Sequence, residues 1–281
     1  MKATFSAGVV LFVFLMAAAS AVEMQYPLSV AAGPDGAIYV ADKDMHGVWK
    51  IAGGKLEVFF EGSKKFRTPL NAVRCVAVDA RGRVLAGDSS TREIYRFNSE
   101  NQPEPLSKAG IGIPMAMAFD SKGDILVCDL ELAQIVKVPE AGGEPVHVAN
   151  VAAPRGIAVD AQGRIWVVSA GGKDQKGQVV RILGDGTQEI VVADHPFELP
   201  HTIALDGSEN AYVCDNYAEA IWKIEPGKKP AKWITGKPLD KPVGIAFAAG
   251  RLLVADPHAK MIFEASLDGK IVPVKFEAAG K

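Results

Sequence analysis

Apolar positions beyond residue 22 come in short runs that never sustain a helical period, and the runs recur. The segments "YPLSVAAGPDGAIYVAD", "VRCVAVDARGRVLAGD", "PMAMAFDSKGDILVCD", "PRGIAVDAQGRIWVVS", "PHTIALDGSENAYVCD" and "PVGIAFAAGRLLVAD" align end to end. They close on Asp42, Asp88, Asp129, Ser169, Asp215 and Asp256, spaced by 46, 41, 40, 46 and 41 residues. A second pattern follows each of them (such as "VWKI" or "IYRF"), then a third apolar piece such as "LEVFF" or "AKWIT". Every unit therefore predicts four short strands, A to D, with a turn between A and B that often carries glycine, as in "DARG" and "DAQG". Strand B is nearly all apolar, whereas a strand with one wet face alternates, so it is covered on both sides. Six four-stranded units at a period near forty, each covered by its neighbours, predict an all-β six-bladed propeller. The alternative, a solenoid of stacked sheets, needs polar caps that are absent from this chain. Each unit holds its own four strands, so ring closure is expected to rest on packing between the first and last blades, with residues 22–26 as a candidate extra strand.

The first 21 residues stand apart: Lys2, an apolar run from about Gly8 to Met16, then Ala19-Ser20-Ala21. That is the layout of a secretory signal peptide, with an apolar stretch short for a membrane span. It sets the expectation of a mature domain over residues 22–281, extracytoplasmic (periplasmic or secreted) and monomeric; an uncleaved anchor is the alternative. Cys75, Cys128 and Cys214 lack metal-ligand or paired spacing and read as small buried hydrophobes. The formal net charge of −2 offers no basic face for nucleic acid.

Strand A lines the channel of such a ring, and its opening residues crowd the axis. By alignment these are Leu28, Arg74, Met115, Arg155, His201 and Val243. Two guanidiniums and an imidazole suit a carboxylate or phosphate, which arginine grips through paired hydrogen bonds. The competing reading has both arginines paired with acids such as Asp88, Asp129 or Asp215 and filling the axis. The repeated aspartate at the end of strand B is read as a turn cap. Blade 4 departs from the rest, with Ser169 and a longer loop, "AGGKDQKGQ", on the same face. The basic residue of strand C (Lys50, Arg96, Lys137, Arg181, Lys223) is expected to extend to solvent at the rim.

The pattern P-x-G-[IV]-A-[VF]-D-x-x-G-x-[IL]-[YW]-V-x-D, followed by I-x-[KR]-[IV], resembles the NHL-repeat class of six-bladed propellers across residues 26–277. The class has gluconolactonase-like and peptidyl-hydroxyglycine amidating lyase-like relatives. Resemblance to the first implies a divalent metal held by Glu, Asn and Asp at the channel mouth; here "YPLSV" lacks the glutamate and "PHTIALD" brings histidine instead. Resemblance to the second implies zinc on histidines of repeated "PH" strand starts, of which "LPHTIALD" is a single instance. His201 with nearby His195 is the candidate metal pair, flanked by His46 and His258 in neighbouring loops, against a usual minimum of three protein ligands. Two functions follow. One is a propeller binding an anionic small molecule or a protein or peptide partner through Arg74, Arg155, His201, Met115 and the loop over Gly171–Gln178. The other is a lyase or hydrolase using the same mouth, with His201 as base or metal ligand.

Overall fold

The computed structural model describes residues 23–171, 177–192 and 196–278. Its A strands run over Pro27–Ala32, Val73–Val78, Pro114–Phe119, Pro154–Val159, Pro200–Leu205 and Gly244–Ala248. Each begins an antiparallel meander in which B, C and D follow in order outward, making six blades. The described residues contain no helix long and apolar enough to cross a membrane. The proposed signal segment, and residues 172–176 of the blade-4 loop, lie outside the described residues.

The B strands are buried throughout, as their unbroken apolar runs require: Ile38–Asp42 and Ala211–Asp215 are covered at every position. What covers them is the neighbouring blade. The buried residues divide into six clusters, one at each interface between adjacent blades. Between blades 4 and 5, for example, Trp166 and Val168 meet Val213 and Trp222, with Phe197 edge-on to Trp222 at 5.4 Å. The three cysteines are free and buried within these layers, and burial pushes the Cys75 thiol up to about 12.

The aspartates ending strand B are fully buried, and each ties two loops together. Asp215 accepts the amides of Glu198 and Leu199 at 2.8 Å from the D–A connection, the Ala218 amide at 3.3 Å from the B–C loop, and Trp222 Nε1 at 3.1 Å. Asp42 repeats the arrangement with Gln25, Tyr26, Asp44, Met45 and Trp49. Recurrence thus reflects a backbone requirement repeated in each blade. Blade 4 has only the Ser169 hydroxyl, donating to Ala152 O at 2.5 Å and accepting from the Gly171 amide at 3.2 Å. Asp215→Ala is expected to orphan buried donors and lower unfolding stability by about 3 kcal/mol or more, since each lost charged hydrogen bond costs roughly 1.5–3 kcal/mol. Urea denaturation checks this; a loss below about 1 kcal/mol would contradict the tie.

Two expectations need correction. The strand C cations do not simply extend into solvent: Arg181 grips Glu189 at 2.7 Å, Lys50 lies 3.8 Å from Glu57 and Lys223 lies 3.6 Å from Glu225. Closure also differs. Residues 23–26 form no strand, because the amides of Gln25 and Tyr26 are taken by Asp42. Instead Glu277–Ala278 runs parallel to the D strand of blade 1, Lys55–Glu61, with Glu277 opposite Lys55, and gives that blade a fifth strand. Val274 and Phe276 pack on the cluster joining blades 1 and 6, beside buried Met24. A two-residue pairing is too short to leave a periodic signature in the sequence.

Candidate functional site at the channel mouth

Backbone register sets the mouth apart from the rest of each blade. In blade 1, Pro27 faces Asp42 and Ser29 faces Ala41, which leaves Leu28 as the extra residue of a β-bulge. The same irregularity leaves out Arg74, Met115 and Arg155 in blades 2, 3 and 4, and falls across His201 and Thr202 in blade 5. A bulge re-aims its unpaired residue and ends regular pairing, and such features gather beside functional sites. In blades 1, 3, 4 and 5 the first position is proline, which lacks an amide for the ladder, so regular pairing cannot extend past it; blade 2 has Val73 there.

Below this ring the channel is narrow. Its cavity, about 290 Å³, is lined at one level by a single alanine from each blade: Ala31, Ala77, Ala118, Ala158, Ala204 and Ala246. Just above, adjacent A strands nearly touch. A Cβ on Gly156 would lie 2.6 Å from Thr202 Cα, and one on Gly244 would lie 2.8 Å from Leu28 O. The hydroxyls at that level join blades, Thr202 donating to Val243 O at 2.5 Å and Ser29 accepting the Val76 amide at 3.2 Å. Polar chemistry is therefore concentrated in the ring itself.

Arg74 Nε donates to Ser89 Oγ at 3.1 Å, and Ser89 in turn donates to Ala72 O at 3.1 Å. Arg155 Nε is buried and has no hydrogen-bond partner among the described residues. Burial lowers the Arg155 proton affinity, the charge of Arg74 lowers it further, and Tyr217 partly opposes this. Burial, then the charge of Arg155, push His201 down to about 3, so its imidazole is neutral at physiological pH. Arg155 thus stands within electrostatic reach of both Arg74 and His201, and Met115 comes from the blade between the two arginines. Neither arginine has a carboxylate within 4.0 Å among the described residues. The acids that could have neutralised them are committed elsewhere: Asp88 to the amides of Ala72 and Ser90, Asp129 to those of Gly112 and Ile113. By contrast, the larger groove between blades 4 and 5, about 590 Å³, is lined by the mutually neutralised Arg181 and Glu189.

Two mouth residues escaped the sequence reading. Ser89 orients Arg74, and Tyr217, 61% exposed in the B–C loop of blade 5, lies near Arg155 with Lys241 Nζ 5.2 Å from its ring centre. An aromatic within the polar loop "NYAE" was the available signal.

The ring does not suit a divalent metal. Its donors are two guanidiniums, one imidazole and a thioether among aliphatics, a set lacking the hard oxygen ligands such sites use and carrying repulsive positive charge. Among the described residues no three histidine, cysteine or acidic side chains come together in a metal-binding group. His46 Nδ1 donates to Asn71 O at 2.5 Å, and the His258 ring lies 6.3 Å from that of Tyr26. His195 lies outside the described residues.

Comparison with known proteins places this arrangement in context. The family model described as the SMP-30/Gluconolactonase/LRE-like region matches residues 14–214. The E3 ubiquitin-protein ligase TRIM32 of Homo sapiens is 32% identical over 77 residues, which are 27% of this chain and 11% of that protein. The chain thus spans about a tenth of that relative's length. Among solved structures, the virginiamycin B lyase of Staphylococcus aureus superposes with a TM-score of 0.69 at 15% identity, covering 93% of this chain and 89% of the lyase. A catalytically inactive histidine-to-alanine variant of that lyase with quinupristin gives a TM-score of 0.67 at 15% identity, covering 89% and 82%. The XC5397 gluconolactonase of Xanthomonas campestris gives 0.70 at 14% identity, covering 90% and 88%. At these identities the structural likeness is one of fold. With the family model matching well over half of its residues, this six-bladed chain belongs to the SMP-30/gluconolactonase/LRE-like family.

Proposed function

We propose that the protein binds a small organic anion at the channel mouth. Arg74 and Arg155 hold the anionic group, the neutral His201 imidazole offers a hydrogen bond beside it, and Met115 and Leu28 form the apolar wall. One observation carries this reading: two ring arginines from alternate blades stand within each other's field, and among the described residues Arg155 Nε is buried without a hydrogen-bond partner and neither arginine has a carboxylate within 4.0 Å. A half-buried cation with a desolvated N–H and no counter-charge beside it is costly, and a bound anion supplies a partner. We further place the protein outside the cytoplasm, on the strength of its signal-like leader.

Family membership favours a second reading, in which the bound anion is a substrate of a lyase or hydrolase. The fold relatives include a gluconolactonase, and a lyase whose histidine-to-alanine variant is inactive. His201 would then serve as the base. With a pKa of about 3 it is a weak one, and a negatively charged substrate beside Arg155 would raise its proton affinity toward the working range.

Titration calorimetry with gluconate, with glucose as the neutral control, tests the binding reading. Gluconate should bind, glucose should not, and Arg74→Ala/Arg155→Ala should weaken gluconate at least tenfold. Binding that survives the double substitution would refute the assignment. Turnover of gluconolactone by the native chain, lost on His201→Ala with gluconate binding retained, would establish the enzymatic reading.

A further inference from the structure

We infer that the same face carries a docking surface for an acidic peptide segment of a partner protein, running outward from the mouth along the connection between blades 1 and 2. It rests on the anion reading only for its inner end at Arg74.

The chain has ten arginines, all described. Arg81, Arg83, Arg92, Arg96, Arg164, Arg181 and Arg251 each have a carboxylate within 4.0 Å. The remainder are Arg67, Arg74 and Arg155, and all three lie on the face that bears the mouth. In a chain of net charge −2 that pairs its other arginines, these three lack a carboxylate within 4.0 Å among the described residues, all on one side. Arg67 and Arg74 are also structurally joined. The Arg67 amide donates to Ser90 Oγ at 3.1 Å, and Arg74 Nε donates to Ser89 Oγ at 3.1 Å, so consecutive residues of one turn hold both. Lys64 and Lys65, in the same connection as Arg67, likewise lack a carboxylate within 4.0 Å among the described residues.

Between these cations stands Phe66, 75% exposed, with the Arg67 guanidinium 5.4 Å from its ring centre. Its exposure is not that of an unstructured loop. Thr68 Oγ1 donates to Lys65 O at 2.6 Å, Asn71 Nδ2 donates to Ser63 O at 3.1 Å, and the Gly62 amide donates to His46 O at 2.8 Å. Leu70, fully buried, pins the connection into the cluster between blades 1 and 2. A fixed aromatic beside an arginine is the composition of a protein-interface anchor, and the surrounding lysines select an acidic partner and steer its approach. A ligand longer than one anionic group at Arg74 would continue outward across this connection. Carboxylates would meet Arg74, Arg67 and the lysines, and an apolar side chain would cover Phe66.

The test uses the full chain and a fluorescein-labelled peptide alternating glutamate with leucine, its lysine-for-glutamate counterpart, and polygalacturonate of matched charge. The acidic peptide should bind, more weakly at 500 mM than at 50 mM salt, and the basic peptide should not. Lys64→Glu/Lys65→Glu/Phe66→Ala should weaken it at least tenfold while leaving gluconate titration unchanged. Equal peptide binding by that variant overturns the docking surface. Polygalacturonate binding that exceeds the peptide's and ignores Phe66→Ala alone would also overturn it, in favour of an acidic polysaccharide. Peptide binding through the connection without any gluconate binding would sink the small-anion reading and leave this one standing.

Discussion

Arg155→Leu should stabilise the ligand-free protein by about 1–2 kcal/mol while abolishing anion binding at the mouth. The reasoning is electrostatic. The Arg155 guanidinium has a buried Nε without a partner among the described residues and sits in the field of Arg74, which lowers its proton affinity. Replacing a half-buried guanidinium that has no ion pair among the described residues with an apolar group of similar bulk removes a desolvation cost, and such changes are commonly neutral or stabilising. Leucine also brings no polar atom to satisfy at this position. A rise in urea midpoint together with loss of gluconate binding would mark a residue kept for function at the expense of the resting fold. Gluconate should raise the midpoint of the native chain and leave that of the variant unmoved. A variant destabilised by more than about 1 kcal/mol would mean that Arg155 holds the fold together, and the mouth would lose its main anion ligand.

The second large effect concerns acid. The His201 pKa is depressed to about 3 in the folded chain, from an ordinary 6.5. Both states are neutral at that position above about pH 6.5, and the group contributes nothing to pH dependence there. Between 6.5 and 3 the unfolded chain takes a proton that the folded chain refuses, so stability falls as pH falls. At pH 4.5 that amounts to about 2–3 kcal/mol, at 1.36 kcal/mol per pH unit. His201→Gln keeps hydrogen-bonding capacity and removes the titration, so its loss of stability between pH 7 and 4.5 should be smaller by that amount. Carboxylates held below their usual range, such as Asp160 and Asp206, add acid sensitivity of their own, but equally in both proteins. Identical losses in the two proteins would show that His201 accepts a proton in the folded state. Bound gluconate should shrink the difference, because an anion near Arg155 favours the imidazolium.

The blade count, the strand order and the ring positions were legible because the propeller repeats one local pattern, and alignment of the copies exposes the residue that varies at a fixed place. Alignment of the strand A starts, "PR" at Arg155, "PH" at His201 and "VR" at Arg74, places these three residues in the ring. Their lack of acid partners among the described residues was not legible. Asp88 and Asp129 lie at the right height to neutralise an arginine, and only the hydrogen bonds from distant amides show that their oxygens are taken. The bulges, the neutral imidazole and the part played by Tyr217 depend likewise on distances between blades far apart in sequence. The strand Glu277–Ala278 was hidden for a different reason, being too short to show a period.

That strand has a practical corollary. It lies along the outermost edge of blade 1, starting opposite Lys55 at the end where strand C turns into strand D, which is away from the channel mouth. A sensor surface or bead coupled just beyond residue 278 would therefore hold the molecule by its rim and far side. The arginine-bearing face would be presented to the analyte, whereas random coupling through lysines would block Lys64 and Lys65 in part of the population.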